Sequence, residues 1–140
     1  MAKQLSVFIE NKEGMLKKVL SVLKVNDVNI SSLSLADTTE YGLLRLIVNK
    51  PELAREKLIQ AGFSSMIAEV VVVKVPHKAG GLQSILELFA EESVNIEYMY
   101  TLMTDDIDAS IVIKTNDLDK VYAIADKNGV EMVSDEQLAL

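Results

Sequence analysis

The chain has 140 residues, a formal charge of −7, no cysteine, no tryptophan and a single histidine, His77. These counts exclude disulfides, thiolate metal sites, iron–sulfur ligation, a cysteine nucleophile and a poly-histidine metal site. An acidic chain without clustered Lys/Arg is a poor polyanion ligand, and no apolar run approaches the roughly 18 residues of a membrane span or forms a signal core after Met1; neither nucleic acid nor membrane is expected as a partner, and a cytoplasmic location is.

Residues 5–9 form a short apolar run bounded by polar residues and predict a strand. Leu16, Val19, Leu20 and Leu23 then recur at i, i+3, i+4 and i+7, one face of a helix. Residues 29–36 mix Ile30, Leu33 and Leu35 with serines and suit a half-buried strand. Residues 38–42 predict a turn and 43–48 a returning strand. Pro51 suits the first turn of a second helix, which ends at Gly62, and residues 66–68 predict a short strand. The run 70–75 is too apolar for an exposed edge and predicts a central strand. Leu82, Ile85, Leu86 and Phe89 repeat the helical spacing. Tyr98 and Tyr100 share one face of the next strand and Met99 takes the other. Asn116 predicts the cap of the last long helix, Asn128 and Gly129 its end, and residues 130–133 a closing strand.

The two halves are copies. A shift of 66 positions lays Lys12 on Lys78, Gly14 on Gly80, Leu16 on Leu82, Leu20 on Leu86, and Val28-Asn29-Ile30 on Val94-Asn95-Ile96. After a one-residue loop difference, residues 45–48 meet 110–113. No linker rich in Gly, Pro or Ser separates the copies, which are expected over 1–69 and 70–140. Each reads βαββαβ, the ferredoxin-like order of an α+β fold. A lone copy would hold a marginal core, so the two are expected side by side with a joint antiparallel sheet and helices on one face.

Two features repeat in a way that suggests chemistry. The first is the turn before each first helix, Asn11-Lys12-Glu13-Gly14-Met15-Leu16 and Pro76-His77-Lys78-Ala79-Gly80-Gly81-Leu82. Glycine there lets a ligand approach the backbone, and the open N–H groups of the helix start favour a carboxylate by about 0.3–2 kcal/mol. A tight connection with no ligand is the simpler account of either glycine alone. The second feature is the asparagine of each Val-Asn-Ile. Tolerance of left-handed backbone explains one asparagine; its return inside the same tripeptide brings in a binding role, since an amide both donates and accepts and suits a zwitterion. Lys12 and Lys78 read as solvated flanking charges, and His77 as a surface or capping residue without an orienting partner. Asp105, Asp106 and Asp108 lack the glycine and glutamate of a calcium loop and read as a solvated turn. Glu91 and Glu92 read as an exposed helix end. No nucleophile–base pair, catalytic carboxylate pair or P-loop is present, so neither enzymatic activity nor a cofactor is expected.

The duplicated βαββαβ order, the Asn11–Leu16 turn and the Val28-Asn29-Ile30 tripeptide resemble the ACT domain, a small regulatory module that binds amino acids. The resemblance covers the whole chain twice. It implies a non-catalytic regulatory protein with a free amino acid as ligand and a metabolic enzyme as partner. An outward sheet edge could pair two chains into a homodimer, and the sequence leaves the oligomeric state open. In the family the turn of one module faces the second strand of its neighbour. Carried over, this implies one site from Asn11, Gly14, Met15 and Leu16 with Asn95, and another from His77, Gly80, Gly81 and Leu82 with Asn29. Side-chain selection would fall to Ser31, Leu33, Tyr98 and Tyr100. Glu13 and Ala79 stand where the family often has proline, Asp27 and Ser93 where it often has glycine, and Gly81 is expected to add flexibility. The rival reading is a ligand-free interaction module, a regulatory subunit whose seam is dry.

Overall fold

A computed structural model describes residues 2–37, 40–102 and 107–138. Thr38 and Thr39 of the predicted turn, Asp105 and Asp106, and the last two residues lie outside the described residues. The elements run β1 (Ala2–Glu10), α1 (Met15–Val25), β2 (Ile30–Asp37), β3 (Tyr41–Val48), α2 (Pro51–Gln60), β4 (Ser64–Val75), α3 (Gly81–Glu91), β5 (Ile96–Leu102), β6 (Ala109–Thr115), α4 (Leu118–Asn128) and α5 (Asp135–Leu138). The fold is α+β, with the βαββαβ order twice over.

The chain forms two compact units, one of Lys3–Ala68 with Glu136–Leu140, the other of Met1–Ala2 with Glu69–Asp135. In the first, β1 and β2 both pair antiparallel with β3. Alternation places Leu5, Val7 and Ile9 of β1 and Leu44, Leu46 and Val48 of β3 on one face. That face packs on Val19 and Leu23 of α1 and Ala54 and Leu58 of α2, so both helices cover the same side. The second unit repeats the plan. β4 and β5 pair antiparallel with β6. Val71, Val73, Val75, Ile111 and Ile113 meet Ile85 and Phe89 of α3 and Val121 and Ile124 of α4.

Three expectations change in detail. The strands predicted at 66–68 and 70–75 are one twelve-residue strand, β4, which closes the first copy and opens the second. No turn residue interrupts it, so nothing in the backbone forces a break. The closing strand of the second copy shrinks to a single bridge between Val73 and Met132, flanked by Lys74 N–H to Glu131 O (2.9 Å) and Val133 N–H to Val72 O (2.8 Å). The cap of α4 is Asp117, not Asn116: its carboxylate accepts from Lys120 N–H at 3.1 Å, the three-residue spacing a cap requires. Pro51 opens α2 as expected, and Gly129 ends α4 with a φ of 66°.

Candidate functional site

The turn between β1 and α1 is built on Gly14, whose φ of 79° lies in the left-handed region. A side chain there would meet open space, so the glycine serves backbone conformation and not close packing. No side chain caps α1. Before it, Asn11 N–H bonds to Glu40 O (2.9 Å) and Lys12 N–H to Glu10 O (2.9 Å), which fixes the chain's path out of the strand. Lys12 Nζ returns to the Glu10 carboxylate at 3.0 Å in an exposed pair, the solvated role expected of it. The second turn uses the same device: Gly80 has a φ of 80°, no side chain caps α3, and Lys78 N–H bonds to Pro76 O (2.8 Å). There the carboxylate of Asp108 accepts from His77 N–H at 3.1 Å, giving the hairpin turn a structural task. Gly81 has a packing reason to be glycine. It is buried, and a Cβ would stand 2.2 Å from Pro76 O.

At the first turn lies an open cavity of about 860 Å³. Gly14 and Met15 line it, together with Phe8, Glu10, Lys17, Lys18, Tyr41 and Phe63. Its lining therefore combines aromatic residues, two lysines and the start of a helix. Of the sequence-predicted residues, Gly14 and Met15 meet in this cavity. Asn11 is exposed beside it, and Leu16 packs partly buried on the core of its unit.

Asn29 stands apart from that cavity. It lines a separate hollow of about 330 Å³ with Leu20, Lys24, Asp27 and Ile30. Its backbone is clamped both ways by one residue: Asn29 N–H donates to Asn49 Oδ1 (2.9 Å) and Asn49 N–H to Asn29 O (3.2 Å). Asn95 occupies the equivalent exposed place before β5, and Leu82 packs on the core of the second unit. Just after each asparagine the strand pairing slips, between Ile30 and Ser32 and again between Ile96 and Tyr98. A repeated irregularity re-aims side chains at the same place in both copies. The residue before each Val-Asn-Ile is left-handed without being glycine: Asp27 at φ 55° and Ser93 at φ 59°.

Sequence reasoning passed over Phe8, Lys17, Lys18 and Phe63. Phe8 carried a usable signal, because it falls on the opposite face of β1 from the core residues Val7 and Ile9 and keeps 46% of its surface exposed. Among the described residues no group of acids and histidine is arranged to hold a metal ion. Among the described residues no helix is long and apolar enough to cross a membrane.

A family model described as an ACT domain pair matches residues 1–140. The chain belongs to the ACT family. Its fold is similar to that of a solved protein from Bacteroides thetaiotaomicron, at a TM-score of 0.93 and 35% identity over 99% of this chain and 95% of the other. The ACT pair also resembles regulatory subunits of aspartate kinase from Thermus thermophilus (TM-score 0.64, 15% identity, 89% of this chain and 91% of the other). The counterpart from Thermus flavus gives 0.63 and 14%, over 87% and 86%. At these identities the likeness is one of fold. No curated protein sequence matches the ACT pair.

Proposed function

We propose that this ACT pair is a non-catalytic regulatory protein of the cytoplasm that binds a free amino acid and passes its occupancy to a metabolic enzyme. The observation that carries the reading is the cavity of about 860 Å³ at the Gly14 turn, where α1 begins without a side-chain cap. The open N–H groups of a helix start take a carboxylate, and neighbouring Lys17 and Lys18 add positive charge. The amides of Asn29 and Asn95 are the proposed holders of a ligand's polar head, each exposed at the start of a second strand. Membership of the ACT family supports the ligand class. The aspartate kinase regulatory subunits that share the fold support an enzyme of amino-acid metabolism as the partner.

Ligand binding biases a partner only by the difference in affinity between two states of the sensor. Micromolar to millimolar affinity, about −8 to −4 kcal/mol, suits a metabolite sensor. A thermal-shift screen over the common amino acids tests the reading, with stabilisation following RT ln(1 + [L]/Kd). A flat screen favours the ligand-free interaction module instead.

A further inference from the structure

We infer that the cavity of the first module selects an amino acid with a large apolar side chain, and that the second module does not share this preference. The inference rests on the amino-acid reading above and specifies its ligand.

The walls carry the argument. Glu10 and Tyr41 are cross-strand partners, as are Phe8 and Leu43, so Phe8 and Tyr41 are diagonal neighbours on one sheet face. Both rings keep about half their surface open (46% and 54%), and both line the cavity with Met15, Val22 and Phe63. Rings on a strand reduce their exposure when an apolar body fills the hollow before them. At about 860 Å³ the cavity lies within the range of small-molecule sites, roughly 300–1,000 Å³. A ligand the size of glycine would leave the rings wet.

Charge complementarity chooses the head group. Lys17 and Lys18 line the cavity, and among the described residues neither forms an ion pair. Together with the start of α1 they present positive charge to a carboxylate. Glu10 lines the same cavity and offers a carboxylate to an ammonium, in competition with Lys12 at 3.0 Å. The ligand that matches apolar walls, cations and one anion is a zwitterion with a bulky apolar side chain, aromatic or branched.

The copies differ at these positions. At the 66-residue shift Phe8 becomes Lys74, Met15 becomes Gly81, Lys17 becomes Gln83 and Lys18 becomes Ser84. The ring of Phe8 and the two helix lysines are lost, and the new Lys74 pairs with Glu131 at 3.3 Å, while the glycine of the turn is kept. Duplication has preserved the backbone device and changed the lining chemistry.

Titration calorimetry of the full chain with L-phenylalanine, L-leucine, glycine and L-aspartate tests this. Phenylalanine and leucine are expected to bind at least ten-fold more tightly than glycine or aspartate, with one phenylalanine per chain. Phe8→Thr should erase that preference. The Met15 methyl resonance of the unmutated chain, assigned through Met15→Leu, should move on phenylalanine addition, a readout independent of whether Phe8→Thr folds. Glycine or aspartate binding as tightly as phenylalanine overturns the selectivity and leaves the amino-acid reading standing. Two equal phenylalanine sites overturn the inequivalence of the modules. A static Met15 resonance at phenylalanine saturation overturns the location. No binding by any amino acid removes both this inference and the reading beneath it.

Discussion

A Cβ on Gly81 would stand 2.2 Å from the carbonyl oxygen of Pro76. That oxygen also accepts from Lys78 N–H at 2.8 Å, so it belongs to the turn and cannot swing away cheaply. Gly81→Ala should therefore destabilise the fold by about 3 kcal/mol, the upper end of overpacking costs. Gly14→Ala meets no atom but must hold a φ of 79°, and should cost about 1–2 kcal/mol. Urea denaturation of the two variants measures the difference. Equal losses would show that Pro76 yields.

Ser93 holds a φ of 59° as an exposed, non-glycine residue after α3. Relief of left-handed strain exceeds the added entropy of an unfolded glycine by a small margin, so Ser93→Gly should stabilise by about 0.5–1 kcal/mol. Asp27→Gly should gain less. Asp27 at φ 55° keeps a side-chain contact with Lys50 Nζ at 3.4 Å, beside the bond from that ammonium to its carbonyl oxygen at 3.0 Å. Thermal midpoints of the two variants rank them.

Asp117 caps α4 through Lys120 N–H. Asp117→Ala should cost about 0.5–2 kcal/mol, while Asn116→Ala should lie near zero. A chemical-denaturation comparison in which Asn116→Ala proves the costlier would reverse the assignment of the cap.

The side-chain hydrogen bond from Lys3 is the largest cause holding the Glu52 carboxyl below its ordinary value, ahead of a bond from the residue's own backbone. A depressed carboxylate contributes stability that is present above its unfolded pKa and is lost as pH falls through its folded one. Lys3→Met should raise the Glu52 titration midpoint, read from its side-chain carbonyl resonance, and flatten the acid limb of stability. The pair is exposed, so the change in stability is small. Tyr122 moves the other way in pKa: burial first, then Asp135 and Glu69, push its hydroxyl above the ordinary phenol value. Its contribution is present below the unfolded pKa and fades as pH rises through the folded one. An ultraviolet titration at alkaline pH should find Tyr122 ionising late, and Tyr122→Phe should remove that phase.

Asn95 is proposed to hold the polar head of the ligand. If its amide holds a charged group of the ligand, Asn95→Ala should weaken binding by about 1.5–3 kcal/mol. Calorimetry on the variant with whichever amino acid stabilises the parent chain checks this. Unchanged affinity removes Asn95 from the site.

Periodicity read the core well because it reports burial directly. Val19 and Leu23 of the first helical stripe, and Ile85 and Phe89 of the second, are buried in α1 and α3. The repeat was equally legible: Gly14 and Gly80 share a left-handed backbone, and the pairing slips after Asn29 and after Asn95 alike. Strand ends were read less well. Met66 and Val70 fall in strands predicted separately, one closing the first copy and one central to the joint sheet, yet a single hydrogen-bonded strand runs through both, because backbone pairing does not stop at the boundary of a repeat.

By itself the sequence determined the α+β class, the duplication and the two glycine turns, because spacing and repetition are properties of a linear chain. It could not say that Phe8, Tyr41 and Phe63 share one cavity with Lys17 and Lys18, since these come from three strands or their flanks and one helix. Nor could it say that Gly81 is demanded by Pro76, five residues away along the chain but placed so that a Cβ would overlap its carbonyl oxygen. Such facts belong to folding, where backbone paths bring together side chains whose separation along the chain carries no trace of their meeting.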